Sequence, residues 1–207
     1  MTESSGSSPL RVVVLASGSG TLLQALVDEL DQNTVELVAV GADLECEALA
    51  KAGRAGIDTF TVPFDAEARR DRTAWNRRLL GAVESYSPDL VVSAGFMRIL
   101  GEEFVAAFDG RIINTHPALL PSFPGAHAVP DALDYGVKVT GTTVHIVDNG
   151  VDTGPILAQR VVEVLDSDTV DTLHERIKIV ERRLLADVLT TIAERGISRD
   201  GRKATIQ

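Results

Sequence analysis

The chain has 207 residues, 44% hydrophobic and 24% charged, the balance of a globular domain rather than a disordered or fibrous polymer. Its formal net charge of -10 argues against a surface built to neutralise duplex phosphates. One cysteine, Cys46, excludes a disulfide framework and a multi-cysteine zinc site. No run approaches the roughly 20 apolar residues of a membrane helix, so no membrane and no nucleic-acid partner is expected. The expected compartment is the cytoplasm. A small anionic substrate stays compatible with this charge, because a cradle of backbone amides works locally.

The first nine residues, MTESSGSSP, lack the basic and apolar regions of a secretory signal and read as a short disordered lead-in. Residues 11–16 (RVVVLA) are a continuous apolar run, the pattern of a strand buried on both faces. Helical spacing follows over 21–30, a strand over 35–41, a helix over 45–55 closed by Gly56, and a short strand over 58–62. One long amphipathic helix is predicted over 66–86, stopped near Pro88. Residues 89–94 read as a buried strand, 97–108 as a helix and 111–114 as a strand. Strands alternating with helices predict a parallel sheet covered on both faces.

The pattern then changes. Residues 116–125 (HPALLPSFPG) form a Pro-rich loop, followed by a short helix over 128–135 and antiparallel-type strands over 140–147 and 156–164. A long helix over 168–195 lines up Leu173, Ile177, Val180, Leu184, Val188 and Ile192. The closing ISRDGRKATIQ is a loose tail or an edge strand. The expected fold is α/β: a Rossmann-like parallel sheet in the N-terminal half, continuing into a mixed sheet with a long C-terminal helix. Residues 10–197 are expected as a single domain, between a lead-in over 1–9 and a tail over 198–207.

In open parallel sheets ligands bind beyond the carboxyl ends of the strands, which directs attention to three segments. Ser17-Gly18-Ser19-Gly20-Thr21 follows the first strand and suits an anion at a helix N-terminus. Leu23 stands where a dinucleotide fingerprint needs its third glycine, so a lone phosphate monoester fits better than NAD or ATP; a ligand-free strand–helix turn is the alternative. Asn114-Thr115-His116-Pro117 places an amide and an imidazole on the same side of a strand, where they suit an oxyanion; a packed strand end is the alternative. Asp148-Asn149-Gly150-Val151-Asp152 is a tight turn, with Asp152 either poised against His116 or merely solvated. His145 reads as a core or supporting histidine, His127 as a cavity-lining one and His174 as a surface one. The scattered histidines point to no metal site, and G-x-S-x-G is absent.

Taken together, S-G-x-G after the first strand, G-F-M-R-I-L at 95–100, N-x-H-P-A-L-L-P-x-F-P-G at 114–125 and G-x-x-V-H-x-V-x-x-x-x-D-x-G-P at 141–155 resemble the phosphoribosylglycinamide formyltransferase family, folate-dependent enzymes of purine synthesis. The likeness spans about residues 11–195. It implies Asn114, His116 and Asp152 as the catalytic trio. It implies Gly20, Thr21, Leu22, Lys178 and Glu181 as contacts to a ribonucleotide. Arg72, Met97, Arg98, Ile99, Leu100, Asn114, Asp148, Asn149, Gly150, Val151 and Asp152 are implied to hold 10-formyltetrahydrofolate, the formyl-donor cosubstrate, largely through backbone groups. Small-molecule substrates, no metal and a homodimer follow from the same resemblance, with residues 97–108 offered as an apolar dimer surface. Two positions depart from the family pattern: Leu22 replaces a common Asn, and Ser122 replaces a common Lys.

Other members of the folate-dependent group fit less well. An enzyme acting on initiator tRNA is expected to carry a further C-terminal domain and a basic face. A formyltetrahydrofolate hydrolase is expected to carry a regulatory domain ahead of the first strand, where only about ten residues stand. A folate- or nucleotide-binding module without turnover has no need of all three of Asn114, His116 and Asp152.

Overall fold

A computed structural model describes residues 8–206; most of the lead-in expected over 1–9 lies outside the described residues. The first half runs β1 (Leu10–Ala16), α1 (Thr21–Glu29), β2 (Val35–Ala42), α2 (Glu47–Arg54), β3 (Asp58–Thr61), α3 (Ala66–Arg70), α4 (Arg72–Glu84), β4 (Leu90–Ser93), α5 (Glu102–Ala107) and β5 (Ile112–His116). The second half runs α6 (Ala128–Tyr135), β6 (Val139–Ile146), β7 (Ile156–Glu163), α7 (Val170–Arg195), β8 (Ile197–Asp200) and β9 (Lys203–Ile206). All strands join one sheet in the order β3-β2-β1-β4-β5-β6-β7-β9-β8. Pairings from β3 to β5 are parallel, and β6 runs antiparallel to both β5 and β7. The expected parallel half and mixed half are therefore one continuous α/β sheet.

β1 is buried on both faces, as its apolar run predicts. Val12 and Val14 pack with Leu22, Leu23 and Leu26 of α1 and with Leu184, Leu185 and Leu189 of α7. Val13 and Leu15 pack with Trp75 and Leu79 of α4 and Phe104 of α5. Gly56 closes α2 at φ +74°, with its N–H on the Gly53 carbonyl and the Ile57 N–H on Ala52, a left-handed cap that a glycine adopts without steric cost. No helix among the described residues is long and apolar enough to cross a membrane.

Two helices differ from expectation. The helix predicted over 66–86 is broken at Asp71, whose backbone leaves the helical region (φ -131°, ψ 83°) and whose carboxylate takes the Ala74 N–H. Asp65 caps α3 in the same way, through Glu67 and Ala68. Each Asp offers a better partner to the next helix's first amides than continued helix would. The helix predicted over 97–108 is confined to α5. Its upstream amides are taken by distant side chains: Met97 N–H by the Ser17 hydroxyl at 3.0 Å and Gly101 N–H by Asn76 Oδ1 at 2.6 Å. Phe104, Val105 and Phe108 are buried in the core of the domain, while Met97 and Ile99 of the same stretch are exposed.

The C-terminal segment forms the β8–β9 hairpin on the sheet edge, with Ile156 of β7 beside Lys203. A paired-fork contact from the Arg199 guanidinium to Asp109, at 2.9 and 3.0 Å, ties it to the body of the domain.

Candidate active site

Strand order reverses between β1 and β4, since β1 leads to β2 on one side while β4 pairs on the other. The crevice beyond their carboxyl ends is where an open α/β sheet binds ligands. The β1–α1 turn lies there. Gly20 is the N-cap of α1 at φ +65°, and no side chain caps this helix among the described residues. A Cβ on Gly20 would come within 2.7 Å of the Ala48 Cα, so both conformation and space require glycine. Among the described residues the first amides of α1 thus have no protein acceptor, as an anion site needs. Leu22 is buried in the core, so this position offers only its N–H outward. Replacing Gly20 by Val is expected to raise the KM for the phosphate-bearing substrate about a hundredfold, with a much smaller change for the other substrate; steady-state titration of each substrate measures it. Backbone strain of about 1–2 kcal/mol and the forced shift of α2 both act on this turn.

β5 delivers Asn114 and His116 to one face, and register sets Asn114 opposite His145 and His116 opposite Thr143 on β6. The β6–β7 connection folds back over that face and brings Asp152 in, at a left-handed φ of 54°. Asp152 Oδ2 lies 3.3 Å from His116 Nδ1 and accepts the Gly125 N–H at 2.8 Å. Its Oδ1 lies 3.5 Å from His145 Nε2. The Asn114 amide nitrogen is 3.2 Å from the same Nε2. The three residues singled out in the sequence therefore meet, and His145, read from the sequence as a core or supporting histidine, joins them.

Hydrogen-bond accounting sets the charges. His116 Nε2 lies 2.7 Å from the Phe123 carbonyl, which can only accept. Nδ1 faces a carboxylate. With acceptors on both sides, the doubly protonated ring satisfies both contacts. The Asp152 carboxyl is held below the usual carboxylate range, first by its hydrogen bond with His145. Burial opposes this, while the Gly125 amide and the charges of His116 and His145 reinforce it. His116 is nearly fully buried, so its contact with Asp152 is largely shielded from water.

The Pro-rich loop is fixed from β6. The Thr143 hydroxyl donates to the Ala118 carbonyl at 2.7 Å and accepts from Leu120 N–H at 3.1 Å and Gln159 Nε2 at 3.0 Å. One proton and two lone pairs are thereby all used. Ser122 is exposed on this loop, and His127 is exposed at the N-cap of α6.

The segment after β4 carries Met97 and Ile99, exposed at 72% and 61%, and half-buried Leu100. Arg72 at the start of α4 reaches the Ile99 carbonyl at 3.5 Å, and its guanidinium lies over Phe64. Arg98 does not reach outward: its Nε donates to Asp43 at 2.6 Å. Asp148 is likewise turned inward, accepting from Gly150 N–H at 3.0 Å and the Thr153 hydroxyl at 2.6 Å. It braces the turn, leaving Asn149, Gly150 and Val151 exposed.

Thr115 points opposite to its neighbours, toward α7, where its hydroxyl bonds Glu181. Burial raises the Glu181 carboxyl above its ordinary value, against the pull of Thr115, Arg182 and Lys178. Lys178 pairs with Glu175 at 2.7 Å. A carboxyl with a raised folded-state value favours folding when protonated. That contribution is complete below its ordinary value of 4.5 and is lost as pH rises through the folded value. Glu181→Gln is therefore expected to raise the ligand-free Tm by several degrees at pH 7, with the gain vanishing near pH 4. Thermal melts across that range measure it.

Among the described residues no group of three or more His, Cys, Asp or Glu side chains is arranged to hold a metal ion. The formyl transferase family model matches residues 10–189. A phosphoribosylglycinamide formyltransferase of Mycobacterium tuberculosis is 55% identical over 201 residues, covering 97% of this chain and 93% of the relative. That of Escherichia coli is 38% identical over 188 residues, covering 89% and 88%. The crystal structure of glycinamide ribonucleotide transformylase 1 from Symbiobacterium toebii superposes with a TM-score of 0.90 at 40% identity, covering 97% of this chain and 98% of that one. A formyltetrahydrofolate deformylase from Pseudomonas syringae shares the fold at TM-score 0.87 and 28% identity, and this chain covers 66% of it. The chain belongs to the formyl transferase family, in its phosphoribosylglycinamide formyltransferase branch.

Proposed function

We propose that this enzyme transfers the formyl group of 10-formyltetrahydrofolate to the primary amine of glycinamide ribonucleotide, with Asn114, His116 and Asp152 around the reacting carbon. The observation that carries the reading is the buried His116–Asp152 pair beside Asn114, at the carboxyl end of β5. The ribonucleotide phosphate is assigned to the amides of Gly20, Thr21 and Leu22, with Lys178 and Glu181 toward the rest of that substrate. The folate is assigned to Arg72, the backbone of Met97, Arg98, Ile99 and Leu100, and the Asp148–Asp152 turn. Arg98 and Asp148 already spend their side chains inside the protein, which supports recognition there by main-chain groups.

The amine lone pair attacks the formyl carbon, and the carbonyl electron pair moves to oxygen. Asn114 and His116 donate hydrogen bonds to that oxygen, an arrangement worth about 3–4 kcal/mol per donor in comparable sites. His116 has no spare proton in the present arrangement, because Nε2 is engaged by Phe123. Donation to the oxyanion therefore requires His116 to release that carbonyl, so the Pro-rich loop and the reaction compete for one N–H. Asp152, held low, is a weak base. Its larger part is to keep His116 cationic and to pass the amine proton on through water. The carbon–nitrogen bond to the folate then breaks, and the proton ends on the departing folate nitrogen. No redox change occurs. A cytoplasmic homodimer goes with this reading.

A coupled assay with glycinamide ribonucleotide and 10-formyltetrahydrofolate tests it: folate release that requires the amine supports transfer. Release at the same rate without the amine would support hydrolysis, the activity named for the deformylase that shares this fold.

A further inference from the structure

Asp43 is a buried acid for which formyl transfer has no chemical use. It follows β2 directly, and its side chain is wholly enclosed. Oδ1 accepts the Ser17 hydroxyl proton at 2.6 Å, and Oδ2 accepts from Arg98 Nε at 2.6 Å. With its proton committed to Asp43, the Ser17 oxygen accepts the Met97 N–H at 3.0 Å. The Arg98 guanidinium lies over the Phe64 ring at 4.5 Å, and the Phe64 N–H is itself held by the Asp43 carbonyl at 3.0 Å. Two strands that share no direct pairing, β2 and β4, are thus fastened at their carboxyl ends through one carboxylate.

The connected residues are not arbitrary. Ser17 opens the glycine turn assigned to the ribonucleotide, and Met97 and Arg98 open the segment assigned to the folate. We infer that Asp43 is a positioning residue common to both substrate subsites, setting the glycine turn through Ser17 and the folate segment through Arg98 and Met97. This rests on the formyl-transfer reading for the identity of the two substrates, and on the structure alone for the linkage. Removing the carboxylate leaves the partly buried Ser17 hydroxyl and Arg98 guanidinium without their partner, and losing these hydrogen bonds frees the backbone that carries them to shift.

The test is a comparison of substrate-specific effects. Asp43→Asn keeps the volume but loses the charge and one acceptor. It is expected to raise the KM of both the ribonucleotide and the formyl-folate about tenfold, with kcat within about threefold of the unsubstituted enzyme. Arg72→Ala, which removes the contact to the Ile99 carbonyl but leaves the Ser17–Asp43–Arg98 hydrogen bonds in place, is expected to raise the folate KM alone. A fall in Tm with either KM unchanged, or a loss confined to kcat, would overturn the proposal. Should Asp43→Asn fail to fold, Ser17→Ala carries the test, because it cuts the glycine turn from Met97 while leaving the Asp43–Arg98 pair; the same rise in both KM values is expected. Amide hydrogen exchange at Met97 needs no turnover and is expected to speed up in both variants; unchanged exchange overturns the linkage. Absence of turnover in the unsubstituted enzyme would instead sink the formyl-transfer reading and leave the exchange result to decide this one.

Discussion

Asp152→Asn is expected to lower kcat about a thousandfold, in the range of a lost proton-transfer group, while both KM values stay within a few fold. The substitution preserves shape. An amide oxygen can still accept the Gly125 N–H, and an amide nitrogen can face His145 Nε2, so the turn at 148–152 keeps its supports. What goes is the negative charge 3.3 Å from His116 Nδ1. The imidazolium then loses its counter-ion in a site almost closed to water, and the neutral ring is a poorer donor to a developing oxyanion. His116→Ala is expected to cost a similar factor, and the double variant little more than either single one, because the two act as one unit. Steady-state kinetics of the three variants, beside melting curves showing that each is folded, measure this. Near-normal turnover in either single variant would remove the pair from the chemistry, and fully multiplicative losses would show that the two act separately.

Asn114→Ala should reduce kcat by about a hundredfold to a thousandfold, again with modest effects on KM. Its amide is a neutral donor, so the loss should vary little with pH across neutrality. In the present arrangement the Asn114 nitrogen faces His145 Nε2, and His145 Nδ1 lies 3.0 Å from the Ile146 carbonyl. Asn114→Asp is the informative companion. It has the same size but replaces a donor with a second anion on the far side of His145 from Asp152, so it should be at least as impaired as Asn114→Ala. Recovery of activity in Asn114→Asp at neutral pH would contradict the oxyanion role.

The parallel strands were readable because burial on two faces demands continuous apolar runs, and 11–16 and 89–94 have them, whereas the β8–β9 hairpin lies in a polar segment that the sequence left as a loose tail or an edge strand. Asn114 and His116 were placed on one face by the strand repeat alone. Both helix errors arose where apolar periodicity continues through a break. Ala68, Trp75 and Leu79 keep helical spacing across Asp71, and Phe96, Leu100, Phe104 and Phe108 keep it across residues that are not helical. In each case a side chain satisfied a backbone group that periodicity assigns to the helix. Asp71 does so locally, and Ser17 and Asn76 do so from 80 and 25 residues away.

The sequence by itself determined the α/β alternation, the position of the glycine-rich turn after the first strand, and the motifs that mark the family. Tertiary structure alone decided that Asp152 meets His116, that His145 stands between Asp152 and Asn114, and that Arg98 turns inward to Asp43. The reason is physical: periodicity reports which face of an element is buried, whereas contacts between elements depend on strand register and on how a connection folds back over the sheet.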